Sequence, residues 1–194
     1  MKKYILIGLL AILILSCSTI SDFSEKDIKG KENSILNSGF EEGIYHINSV
    51  PVNWTVLNKP SGVISWVEQT AHNSSRSMKI AYPPEEVSII SDSFPVDATS
   101  VHYSQCFIKA DRPTQSQVGM RFLAFDAKGK KLNQYSKKIT PKMDWTKIEL
   151  TSSFFKPNVK YGRIVITIPR KSNTIFWLDN VRSYDVHRLS IQKN

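Results

Sequence analysis

The chain is 194 residues long, with 26 Lys and Arg against 17 Asp and Glu, 4 His and 2 Cys, a formal net charge of +9. That length suits one domain with a full core, and 41% apolar with 22% charged residues excludes wholesale disorder and collagen-like repetition. Two cysteines exclude a disulfide scaffold and a four-cysteine zinc site.

The chain opens Met1-Lys2-Lys3 and then runs from Tyr4 to Leu15 without a charged side chain. Such a stretch spans about 18 Å as a helix, short of a hydrocarbon core of roughly 30 Å, so it reads as a secretory signal and not a membrane span. Leu15-Ser16-Cys17 resembles the lipobox of bacterial lipoproteins. The resemblance implies that residues 1–16 are removed and that Cys17 carries lipid. It also implies that the protein is held in the bacterial cell envelope, at the outer membrane or cell surface. Removing Lys2 and Lys3 leaves 24 basic against 17 acidic residues, so the mature chain carries +7. Cys106 is then the one remaining thiol, in an apolar-alternating run where a lone cysteine acts as a small buried hydrophobe.

After Cys17 the chain reads STISDFSEKDIKGKEN, polar and mixed in charge without sustained periodicity. Residues 17–33 therefore read as a flexible tether that lets a domain reach off a membrane. Residues 34–186 read as strands and turns, and 187–194 as a tail. Strands are predicted over Val101–Lys109, Val118–Phe125, Thr146–Leu150, Arg163–Ile168 and Thr174–Val181, with a turn at Asp126–Gly129. Short runs separated by Pro, Gly, Asn and Asp, with no long helical stripe, predict an all-β fold, an antiparallel sandwich or barrel.

Alternation then assigns faces. His102, Ser104, Cys106 and Ile108 share one side of their strand, and Tyr103, Gln105, Phe107 and Lys109 the other. Val118, Met120, Phe122 and Ala124 form an apolar side, as do Ile164, Ile166 and Ile168, leaving Arg121, Phe125 and Arg163 opposite. No nucleophile elbow, Walker loop, dinucleotide fingerprint or His-Glu-x-x-His occurs. The adjacent pairs Glu41-Glu42 and Glu85-Glu86 point to opposite faces of an extended chain, so neither makes an acid/base couple, and no enzyme is expected. The basic excess gathers in Lys128, Lys130, Lys131, Lys137, Lys138, Lys142, Arg170 and Lys171, mostly flanking turns, and reads either as solvated loops or as a surface for an anionic partner such as an acidic glycan or a lipid surface. An export signal and the lack of a DNA- or RNA-binding motif argue against nucleic acid.

Five segments in order carry a second resemblance. Leu36-Asn37-Ser38-Gly39-Phe40-Glu41-Glu42-Gly43 with Pro51-Val52-Asn53-Trp54, then Ser75-Arg76-Ser77-Met78-Lys79-Ile80, resemble the opening signatures of jelly-roll carbohydrate-binding modules that accompany xylanases and glucanases. Phe125–Lys130, Asp144–Ile148 and Phe176-Trp177-Leu178-Asp179-Asn180-Val181 resemble their hairpin, Trp-containing strand and last strand. The resemblance covers residues 34–186 and implies a galactose-binding-like sandwich of two antiparallel sheets. It also implies a structural calcium held by Glu41 and Asp179, with backbone carbonyls near Gly39 and Ser75 completing a hard oxygen shell. Family members bind sugar on the concave sheet face or at the loops above it. By position, that places Tyr103, Gln105, Phe107, Arg121 and Phe125 on the face, Arg163 nearby and Trp66 at the rim. The function implied is non-catalytic glycan binding by a lipid-anchored domain; the alternative is a structural or protein-interaction lipoprotein that uses the same fold without sugar.

Overall fold

β-branched and aromatic residues alternating with polar ones cannot bury one side of a strand alone, so the strands pair into sheets and the sheets stack. The computed structural model describes residues 23–43, 50–58 and 62–189. The signal segment, Cys17 and the start of the expected tether lie outside these residues. Among the described residues, eleven strands follow a 3-10 turn at Glu25–Ile28: β1 Trp54–Leu57, β2 Ile64–Val67, β3 Ser77–Ala81, β4 Val87–Ser91, β5 Phe94–Pro95, β6 Ser100–Ala110, β7 Val118–Phe125, β8 Lys131–Ile139, β9 Thr146–Ser152, β10 Tyr161–Ile168 and β11 Ile175–Arg188.

They form two antiparallel sheets. Sheet A runs β1-β4-β10-β7-β8, with β5 also on β10, and sheet B runs β2-β3-β11-β6-β9. This is the two-sheet sandwich expected. The core lies between the sheets. Cys106, Ile108 and Ala110 of β6 face Val118, Met120, Phe122 and Ala124 of β7 and Ile164, Ile166 and Ile168 of β10, all fully buried. Burial drives the Cys106 thiol pKa upward, in keeping with an inert core residue. Gly162 is required by this packing, because a Cβ there would stand 2.9 Å from both Phe122 Cζ and Val96 Cγ2.

A second apolar cluster lies on the outer side of sheet B. Val101 and Tyr103 of β6 and Tyr184 and Val186 of β11 are buried beneath Phe23, Ile28 and Leu189. The residues preceding the sandwich thus strap the sheet. Ser24 and Asp27 close a capping box over the 3-10 turn, and Glu25 pairs with Lys147 of β9 at 3.1 Å. Asn33 Oδ1 accepts from Ser183 N at 3.0 Å, and Ser34 N donates to Ser183 O at 2.8 Å. The tether expected over 17–33 is therefore corrected: residues 23–33 are seated on sheet B, because Phe23 and Ile28 supply the apolar contacts that an overall polar composition concealed. The tail also begins later, since β11 continues through His187 and Arg188.

Candidate functional site

The expected ligand residues do not share one face. Tyr103, Gln105 and Phe107 lie on the outer side of sheet B, whereas Arg121, Phe125 and Arg163 lie on the outer side of sheet A. Alternation fixes which side of its own strand a residue takes; it does not say which sheet the strand joins.

On sheet B, Tyr103 is 1% exposed beneath the strap. Its hydroxyl donates to Glu149 Oε1, which also takes Lys147 Nζ at 2.7 Å. Burial and that bond push the Tyr103 pKa up. Gln105 is buried as well. Phe107 stacks on His72 at 3.8 Å between ring centroids, with Trp145 edge-on to the same imidazole at 5.5 Å. Burial, reinforced by Arg182, lowers the His72 pKa. Trp66 is also corrected: it is 4% exposed inside the core, with its Nε1 donating to Phe40 O at 2.6 Å and the Arg76 guanidinium 4.3 Å from its ring. A tryptophan that fills the space between sheets cannot form a rim.

Sheet A carries an open face whose rows follow from the strand register. The first row crosses four strands as Ser88, Thr167, Gly119 and Lys138. The next holds Ile90, Val165, Arg121 and Ser136; the third brings Arg163, Leu123 and Gln134 together. The fourth pairs Tyr161 with Phe125, whose rings stack at 5.2 Å and 14°. Ser88 and Thr167 of the first row are small and Gly119 contributes no side chain, and a groove of about 260 Å³ opens beside them. Glu86, Gly119, Arg121, Gln134, Ser136, Lys137, Lys138 and Thr167 line it. Arg121 Nη2 donates to Thr167 Oγ1 at 2.9 Å, while its Nε is shielded from solvent without a hydrogen-bond partner. Phe125 and Arg163 share this face, outside the groove lining. Gln134, Ser136 and Lys138 were missed because β8 reads as a polar, Lys-rich run that resembles any solvated edge, and Thr167 because a lone threonine on the outer side of β10 carries no signal of its own.

The two carboxylates expected at a metal both accept from the segment 72–76. Glu41 Oε1 accepts from Ser75 N at 3.1 Å and Arg76 N at 2.9 Å. Asp179 Oδ2 accepts from His72 N at 2.6 Å and Ser74 Oγ at 2.5 Å, and its Oδ1 from Asn180 N at 2.6 Å. Gly39 lies beside Glu41 and Ser74, since a Cβ there would lie 3.7 Å from Glu41 Cγ and 3.7 Å from Ser74 Cβ. Asp179 is fully buried at a bulge in β11, where Asn180 adopts φ +49°. Burial pushes its pKa to about 6, with nearby Glu41 adding to the rise over the opposing hydrogen bonds. These carboxylate oxygens are met by backbone N–H groups and the Ser74 hydroxyl, and among the described residues no third acidic, His or Cys side chain joins them in a cluster that could hold a metal ion.

A second cavity, about 550 Å³, opens at one end of the sandwich between Glu32, Asn33, Ser34, Leu36, Pro95, His102, Asp185 and Arg188. His102 is 1% exposed within a ring cluster of Phe94, Phe122 and Phe155, and neither imidazole nitrogen has a partner. Burial lowers its pKa to about 4, against the pull of Asp185 and together with Arg188.

No protein-family model matches the chain, and no curated sequence matches it. Solved structures do match it in fold. The CBM22-1 xylan-binding domain from Paenibacillus barcinonensis superposes with a TM-score of 0.58 at 14% identity, over 82% of this chain and 97% of that one. A family 61 carbohydrate-binding module in complex with β-1,4-galactotriose gives 0.54 at 17% identity, over 79% and 99%. An arabinose-bound family GH51 α-L-arabinofuranosidase gives 0.59 at 15% identity over 78% of this chain, which spans only 26% of that enzyme. The two antiparallel sheets described above are thus the β-sandwich fold of carbohydrate-binding modules.

Proposed function

We propose that the protein is a non-catalytic glycan-binding lipoprotein that displays one carbohydrate-binding-module-like domain from a bacterial membrane through Cys17. The observation that carries this reading is the open groove on sheet A, where Arg121, Gln134, Ser136, Lys138 and Thr167 present side-chain donors and acceptors across three adjacent strands. Strands stand about 4.8 Å apart, so a groove crossing three of them extends roughly 10 Å, enough for about two sugar rings. Concave, polar-lined surfaces on a rigid sheet bind hydroxyl-rich ligands by directional hydrogen bonds without reorganising the backbone. A glycan-array screen of the protein tests this, with Arg121→Ala as control. Binding that the substitution weakens supports it, and a blank array from folded protein overturns it.

The alternative, a structural or interaction lipoprotein, is favoured by one observation: the strap over Tyr103 closes the sheet B face where an exposed ring would have favoured sugar. The same blank array would leave it standing. Calcium at Glu41 and Asp179, with carbonyls near Gly39 and Ser75, belongs to our proposal as a structural ion. When bound, it would neutralise the two carboxylates and tie the first segment of the sandwich to its last strand, which stabilises the folded state through binding energy.

A further inference from the structure

The groove on sheet A carries information about what kind of glycan it takes. Among its eight lining residues there is no aromatic ring. Neutral pyranoses are commonly gripped by stacking a ring face on an aromatic side chain. The rings that this face does hold, Phe125 and Tyr161, lie two rows beyond Arg121 and are stacked on one another. The lining instead presents the cations of Arg121 and Lys138 against a single acid, Glu86, with Lys137 in register with the inward-facing Met120. Lys138 stands directly across from Gly119, where a Cβ would lie 3.7 Å from Lys138 Cγ, so the Lys138 stem runs along the glycine.

Arg121 gives the sharper indication. A buried guanidinium N–H without an acceptor is unfavourable, and here Nε is in that state while Nη2 is satisfied only by the Thr167 hydroxyl. The Nε and Nη2 donors form the edge that a carboxylate or sulfate takes in bidentate fashion. An incoming anion displaces the Thr167 hydroxyl and fills both donors at once. A neutral sugar hydroxyl offers one acceptor oxygen and leaves the charge unmatched.

Resting on the glycan reading of this groove, we propose that its ligand is an anionic polysaccharide, one whose sugars carry carboxylate or sulfate groups held by Arg121 and Lys138.

The test is affinity measurement of the full chain in detergent against four polymers: polygalacturonate, chondroitin sulfate, unsubstituted xylan and β-1,4-galactan. Arg121→Gln and Lys138→Gln are measured beside the wild type. Lys138 is exposed on an edge strand, so its substitution keeps the test valid even where Arg121→Gln disturbs folding. The expected result is binding to polygalacturonate, to chondroitin sulfate or to both, which identifies the carboxylate or sulfate source. That binding should weaken about tenfold or more in Arg121→Gln, and weaken in Lys138→Gln. It should also fall as salt rises, because exposed charge pairs are screened. Binding to xylan or galactan with none to the acidic polymers overturns this inference and leaves the glycan reading intact. Acidic-polymer binding that ignores both substitutions overturns the assignment to this groove. No binding to any polymer by folded protein overturns the glycan reading and the inference together.

Discussion

His102 makes stability depend on pH in a calculable way. Its ring is enclosed by Phe94, Phe122 and Phe155, with Asp185 and Arg188 beside the same cavity. In the unfolded chain the imidazole takes up a proton near pH 6.5, but in the folded protein only near pH 4. Between those values the unfolded state binds more protons, so stability falls as pH falls. Linkage between an ordinary value and one of about 4 gives a loss of about 2 kcal/mol from pH 7 to pH 5. For a domain of this size that is roughly 4–8 °C in Tm. Asp179 opposes it: its pKa is raised to about 6, so the folded state takes up the proton first and gains stability as pH falls toward 4. The two effects are separated by substitution. Urea unfolding of wild type and His102→Phe at both pH values should show the variant as stable as wild type or more so at pH 7, since two unpartnered nitrogens are removed from an aromatic cluster. The variant's advantage should then widen by about 2 kcal/mol at pH 5. Parallel losses in the two proteins would refute the reasoning, whatever their offset at pH 7.

Four further outcomes are expected. Asp179→Asn should lose about 1 kcal/mol more than wild type between pH 7 and pH 5, because it lacks the proton uptake that offsets part of the His102 loss, read from the same unfolding curves. With wild type, added calcium should raise Tm and chelator should lower it; no movement in either direction would dismiss the ion. Phe23→Ala should destabilise by about 1–3 kcal/mol and open Tyr103 and Tyr184 to a fluorescence quencher, because the strap loses its apolar contact. Gly162→Ala should cost about 1–3 kcal/mol by overpacking against Phe122 and Val96, measured by chemical denaturation.

Much of the sandwich was legible because the period-two signal in β6, β7 and β10 is strong: Cys106, Phe122 and Ile166 fell on the buried side that alternation assigned them. The assembly of those strands was not legible. Tyr103 and Arg121 both point away from the core, yet β6 joins sheet B and β7 joins sheet A, a choice made by pairing between strands distant in sequence. Nor does alternation reveal what covers an outward residue. Tyr103 is buried because Phe23 and Ile28, two apolar side chains in a polar segment, find the patch it shares with Tyr184. Glu41 and Asp179 were brought together by resemblance and not by spacing, and the structure places their carboxylates in one hydrogen-bonded junction with Ser74, Ser75 and Arg76. The groove was half seen. Arg121 was anticipated, but Lys138 and Thr167 became part of the site only through register with Gly119.

The most direct test of the central claim is a backbone-amide NMR titration with a bound glycan, which reports where the sugar sits. The account predicts shifts concentrated at Gly119, Arg121, Ser136, Lys138 and Thr167, fading along the face toward Phe125 and Tyr161. Shifts concentrated instead at Phe107, His72 and Trp145 would place the ligand on sheet B and contradict it.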